Sequence, residues 1–227
     1  MTNPPITMRR GSGWDDAHWA EQVPAVGRAV TKATAGMAML GITHEQPKQG
    51  AMGRYTNREE NGAHVAGRAF GPTHFQLSTV LEREAKPRLA QHAARWAPII
   101  LHEVVHCVRY EHVPDETNRL VEIAASEGLA YVADMSFARD YLGKPALSGL
   151  MEWEIEEPDK GLREAMAQIA VAGGTSTEHV RWFEDAGTHG WVRNGSLYGA
   201  QCVYRHVQRG HILPDLMRQP AEELLGL

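Results

Sequence analysis

The sequence predicts a mostly helical α+β fold, with a small sheet over residues 63–80 lying against a helix that carries His102, Glu103 and His106. Three observations lead there. Apolar residues recur every three or four positions in residues 17–39, 98–111 and 116–141, the helical period. Between residues 63 and 80 the period drops to two, as in half-buried strands. The C-terminal half then returns to helical spacing, so helices frame the one stretch of alternation.

Composition bounds the rest. At 227 residues, 43% hydrophobic and 22% charged, the chain can bury a core without disulfide staples. Residues 1–13, rich in Pro, Gly and polar residues, read as a disordered lead-in, and residues 14–227 as a single domain. The net charge of −5 is mild and the basic residues are scattered, which argues against nucleic acid or an anionic membrane as partner. No apolar run nears the roughly 18 residues of a membrane span, and the start lacks the features of a signal peptide; the expected location is the cytoplasm. The two cysteines, Cys107 and Cys202, read as small buried hydrophobes.

In order along the chain, Asp15 or Asp16 caps a helix over residues 17–39, with Trp19, Val23, Val26, Val30 and Ala33 facing the core and Pro24 as a kink or break. Residues 41–62 read as loop, given Pro47, Gly50, Gly53 and the charged Arg58-Glu59-Glu60. Val65, Gly67 and Ala69 then alternate with Ala66, Arg68 and Phe70. After Gly71-Pro72, Phe75 and Leu77 alternate with His74, Gln76 and Ser78, giving two strands. His64 and His74 read first as surface or edge residues and second as ligands. A helix over residues 82–96 leads into the next, which opens at Pro98 and runs to about Glu111. Beyond Val113-Pro114-Asp115 a long helix covers residues 116–141, its stripe running Leu120, Ile123, Ala124, Glu127, Ala130, Tyr131, Asp134, Phe137, Ala138 and Tyr141. Further helices are expected over residues 161–171, 177–183 and 196–208, the last burying Leu197, Ala200, Tyr204 and Val207, and residues 220–225 add a short turn. The acidic cluster from Glu152 to Glu157 reads as a solvated face.

The chemistry concentrates in Ile99-Ile100-Leu101-His102-Glu103-Val104-Val105-His106-Cys107-Val108. On a helix, His102 and His106 stand about 40° apart in azimuth and about 6 Å apart along the axis, so two imidazoles can grip one cation. Glu103, about 100° round from His102, reaches a water on that cation without ligating it, the division of labour of the His-Glu-x-x-His motif. Six apolar neighbours imply burial, and two imidazoles with a carboxylate buried without partners would cost several kcal/mol. Either a metal satisfies them, or they are core histidines bonded to neighbours. A catalytic zinc takes three protein ligands, which leaves a third to find. Glu127, in the middle of a buried stripe 21 residues beyond His106, is one candidate, and Gly128 beside it permits a close approach of helices. His112 is the other, since its spacing matches the metzincins, although Arg109 stands where that family has a turn-making Gly. Asp134 reads equally as an acceptor orienting a ligand imidazole or as a polar patch.

The combination of His102-Glu103-Val104-Val105-His106 and Arg109 with Ser126-Glu127-Gly128-Leu129-Ala130 resembles the bacterial family described as predicted zinc-dependent proteases of the gluzincin type. The ending, with Gly195, Tyr198 and Gly199 and then Pro220-Ala221-Glu222-Glu223-Leu224-Leu225, is similar to that family's own. The likeness runs from about residue 60 to 227 and is strongest at the two helices. It departs near Tyr198, where the family tends to have aromatics at the positions of Ser196 and Ala200. The resemblance implies a zincin-like fold, zinc held by His102, His106 and Glu127, and hydrolysis of a peptide or protein substrate. Glu103 would then be general base, and Tyr198 the hydrogen-bond donor opposite it, with Tyr204, His206 and His211 as other donors from the same region. The strand ending near Ser78 would hold an extended substrate by edge pairing. The alternative in another class is a catalytically inactive, metal-stabilised interaction protein; Glu103 and the lack of a fourth ligand argue against it.

Overall fold

The structure is a computed structural model that describes residues 3–55, 65–80, 86–113, 120–143 and 194–227, with six further helical positions between 163 and 170. The expected helix over residues 177–183, most of that over 161–171, the acidic cluster at 152–157 and His64 lie outside them. The described chain is mixed α and β, and it groups into two compact units, Met1–Glu111 and His112–Leu227.

The first unit is built on a four-stranded sheet in the order β1-β2-β4-β3, with β1 Ile6–Arg10, β2 Lys48–Tyr55, β3 Val65–Ala69 and β4 His74–Val80. β1 pairs parallel with β2 and β2 with β4, while β3 runs antiparallel to β4. The two strands read from alternation are present: Phe75 and Leu77 are buried and His74 is exposed. The other two correct the sequence reading, which had a disordered lead-in where β1 lies and loop where β2 lies. Neither carries a strong local signal, and β2 contains Gly50 and Gly53. Gly50 pairs with Met8 on one side and Phe75 on the other, and a Cβ there would fall 2.1 Å from the Met8 sulfur and 2.5 Å from the Phe75 ring. Side chains from both neighbouring strands fill the space the glycine leaves, a long-range reason for a strand that propensity does not supply.

α1, Asp16–Met39, connects β1 to β2, and Asp15 caps it by accepting the His18 N–H at 2.8 Å. Pro24 lies inside it without ending it. Val26, Ala29, Ala33 and Met37 form its buried face, whereas Val23, expected in the core, is exposed. α2 is one helix, Lys86–His112, where the sequence suggested two meeting at Pro98. Pro87 occupies its first turn, where a missing N–H does no harm. Pro98 removes one internal bond, a loss outweighed by the burial of Trp96, Ala97, Ile100, Leu101, Val104, Val105 and Val108 around it.

A buried ion pair fixes the far end of α2 within this unit. Lys48 Nζ lies 2.5 Å from Glu111 Oε1 with the two side chains 0% and 5% exposed. The ammonium also donates to the Pro72 carbonyl, and the Glu111 carboxylate accepts the backbone N–H groups of Glu45 and Gln46. Each charge has several hydrogen bonds, the condition under which a buried pair is tolerated.

The second unit is helical: α3 Leu120–Asp140, α4 Asn194–Gln208, α5 Leu213–Leu216 and α6 Ala221–Leu225. α3 is buried on nearly all sides rather than along one stripe, with Val121, Glu122, Ala125, Leu129, Val132 and Met135 enclosed and Tyr141 exposed. α4 packs on it at very short range. A Cβ on Gly128 would fall 2.2 Å from the Gly199 carbonyl carbon, and one on Gly199 would fall 1.8 Å from the Ala124 oxygen. The close approach foreseen for Gly128 is therefore made with α4. α4 buries Tyr198, Ala200, Cys202 and Val203, so its core face is rotated from the expected one, on which Leu197, Tyr204 and Val207 are only half-buried. α6 is the turn expected at residues 220–225; α5, with Pro214 in its first turn, adds Leu213 and Leu216 to the core.

Candidate metal centre

His102 and His106 stand one turn apart on α2, their rings 4.8 Å apart and nearly perpendicular, at 76°. His106 is buried, as is Glu103. His102, His106 and Glu127 each offer one ligand atom, and these three atoms lie within 4.8 Å of one another. A group this compact could hold one metal ion. The donor set, two imidazoles and one carboxylate among the described residues, suits zinc.

His112 is no part of this group. α2 stays helical through Arg109 and on to His112, which puts His112 about 240° round the axis from His106 and about 9 Å farther along it. The turn that brings a third histidine back to the metal in the metzincin pattern is not made. Arg109, 1% exposed, is built into the helix instead. His74, the strand histidine, is exposed on β4 and its Nδ1 lies 2.7 Å from the Thr73 hydroxyl. Asp134 is buried on α3 two turns beyond Glu127.

The sequence did not show how Glu103 is accommodated. Its carboxylate lies against β3 at Gly67, where a Cβ would fall 2.2 Å from Glu103 Oε1. Any side chain at position 67 would occupy the carboxylate's place. A lone glycine inside an alternating strand is the signal for such a close approach. Among the described residues β3 is an edge strand, with β1 at the opposite edge, whereas β4 is flanked by β2 on one side and β3 on the other. Edge pairing assigned to the strand ending near Ser78 is therefore excluded there, and among the described residues the edge near Glu103 belongs to β3. Cys107, one residue past His106, points its thiol at the His74 carbonyl, 3.6 Å away; burial pushes that thiol up to about 12, so it is protonated and inert at neutral pH.

Tyr198 is buried in α4, and its hydroxyl donates to the Leu225 carbonyl at 2.8 Å. Cys202 donates to the same oxygen at 3.5 Å. The phenol proton expected to serve the reaction is thus committed to holding α6 on α4, and burial raises the phenol above its ordinary range. Both cysteines are free and buried, as expected. Among the described residues no helix is long and apolar enough to cross a membrane.

Compared with known protein families, curated proteins and solved structures, the chain matches none of them.

Proposed function

We propose that the chain is a zinc-dependent hydrolase, a gluzincin-like peptidase acting on peptide or protein substrates. The observation that carries this is the convergence of His102, His106 and Glu127, with the base-competent Glu103 next to His102 in the chain. His102, His106 and Glu127 would hold the metal. Bound zinc supplies a Lewis acid strong enough to bring the pKa of water to about 7. Glu103 takes the proton of the attacking water and passes it to the leaving amine, and Gly67 leaves that carboxylate room to do so. β3, an edge strand among the described residues, would offer backbone groups to an extended peptide beside Glu103. The resemblance noted in the sequence supports the same assignment.

Metal analysis of the purified protein, followed by a peptide-library cleavage assay, tests this. About one zinc per chain is expected, lost in His102→Ala and His106→Ala and strongly weakened in Glu127→Ala but not in His112→Ala. Stoichiometric zinc retained in a His102→Ala/His106→Ala double variant would overturn it.

A further inference from the structure

The second unit contains a cavity of about 160 Å³ lined by Arg163, Arg205, His206 and Arg209 together with Tyr198, Cys202 and residues 224–226. Its chemistry is one-sided. Three guanidinium groups and an imidazole line it and, among the described residues, no carboxylate side chain does. Among the described residues, the side-chain partners of these arginines are neutral: Arg163 donates to the Gly226 carbonyl at 3.0 Å, and Arg205 donates to the Gln201 carbonyl at 3.1 Å and to Cys202 sulfur at 3.2 Å. His206 Nδ1 is buried with no hydrogen-bond partner, and the His206 ring is held against His211, 5.2 Å away.

Basic residues near the end of α4 have an ordinary explanation, since they oppose the negative end of the helix dipole. Two facts exceed it. Arg163 belongs to a different helical stretch, 42 positions before Arg205, and still lines the same cavity. The last carbonyls of α4 are already closed by backbone N–H groups: Arg205 and His206 by Arg209, Val207 by Gly210, and His206 again by His211, with Gly210 at φ +91° making the turn. The guanidinium groups are therefore not needed as caps. Burial first, then the neighbouring His211, Arg209 and Arg205, hold His206 below its ordinary range, against a backbone hydrogen bond with Leu224 that raises it.

We infer that this cavity is a binding site for a doubly charged oxyanion, the phosphate ion or the phosphoryl group of a small molecule, held by Arg163, Arg205 and Arg209 with His206. Guanidinium forks match phosphate oxygens in pairs, and the volume exceeds by many times the ~10–15 Å³ that one water needs. Tyr198, Leu224 and Leu225 give the cavity an apolar wall suited to an organic remainder.

The site is independent of the proposed metal centre, and the test separates the two. Inorganic phosphate and glycerol phosphate are titrated calorimetrically into the full chain, with chloride as control, while the His206 imidazole is followed by NMR. Saturable binding below about 10 mM is expected, weakened at least about tenfold in Arg209→Gln and in Arg163→Gln, whose side chains lie at the surface. The His206 signal should shift on binding, and both effects should survive in His102→Ala/His106→Ala. Tighter binding of glycerol phosphate would assign the site to an organic phosphate, and tighter inorganic phosphate to the free ion. No saturable binding, or binding unchanged in both arginine variants, would overturn the site; so would binding lost only in the histidine double variant, which would put the anion on the metal.

Discussion

Glu103 and Glu111 stand eight residues apart on one helix, both drawn out of water, and they are handled in opposite ways. Glu111 is neutralised by Lys48 and tied to two backbone N–H groups, an arrangement that fixes the end of α2 and leaves the carboxylate nothing else to do. Glu103 is given space: the strand beside it carries a glycine, and the position next to it in the chain is a histidine of the group able to hold a metal. The difference teaches how to separate a structural carboxylate from a chemical one. The first is neutralised by an opposite charge; the second lies against a glycine, next in the chain to a residue of the group able to hold a metal.

The sharpest way to break that contrast is to remove each charge in turn. Glu103→Gln should keep the fold and the zinc yet lower turnover by about 10²–10⁴-fold, because an amide retains the shape but cannot take a proton. Glu111→Gln should leave turnover within about twofold while lowering stability, since it strands a buried ammonium. Cleavage rates on the best library peptide, beside melting curves for both variants, would decide it. Equal loss of activity in the two would erase the distinction.

Next in size is the ion pair itself. Lys48→Met leaves the Glu111 carboxylate buried without its counter-charge and should cost about 3–5 kcal/mol in chemical denaturation. The double variant Lys48→Met/Glu111→Leu should recover most of that, because an apolar pair of similar volume carries no desolvation penalty. A double variant as unstable as the single one would mean that the bonds to Glu45, Gln46 and Pro72, rather than the charge, fix this corner.

Gly67→Ala examines the other half of the contrast. The added methyl meets the Glu103 carboxylate, the movable end of a side chain, so the protein should fold and bind zinc while Glu103 is pushed from its position. A misplacement of this kind should cost about tenfold or more in kcat with KM little changed. If Gly67→Ala changed only stability, the space beside Glu103 would be a packing feature with no bearing on the reaction.

How much of this was legible depended on whether the signal was local. The His-Glu-x-x-His spacing, the two strands after residue 63, the Asp15 cap and the helix carrying Glu127 are each set by residues close in sequence, and the structure contains them all. β1 and β2 were hidden because their stability comes from pairing across about 40 residues and from a glycine that Met8 and Phe75 fill. Lys48 and Glu111 were hidden for the same reason, being 63 positions apart and unremarkable singly. The stripe on α4 misled because the residues that set its buried face, Gly199 and Tyr198, act through contacts with α3 and α6 that no periodicity reveals.

Tyr198 carries the smallest expected effect and the finest distinction. Its place in the sequence suggested a donor to the reaction, whereas its hydroxyl proton lies on the Leu225 carbonyl in a buried setting. Tyr198→Phe removes one neutral hydrogen bond and should lower stability by about 1 kcal/mol. Cys202 still donates to the same carbonyl, so the acceptor is not left bare and the loss should stay at the low end of what an unsatisfied group costs. Zinc content and turnover should match the parent protein. Melting curves and steady-state kinetics on the one variant settle which role holds: a melting shift with unchanged kcat assigns the tyrosine to the joint between α4 and α6. A fall in kcat with unchanged stability would show that the hydroxyl leaves Leu225 during turnover and acts on the substrate.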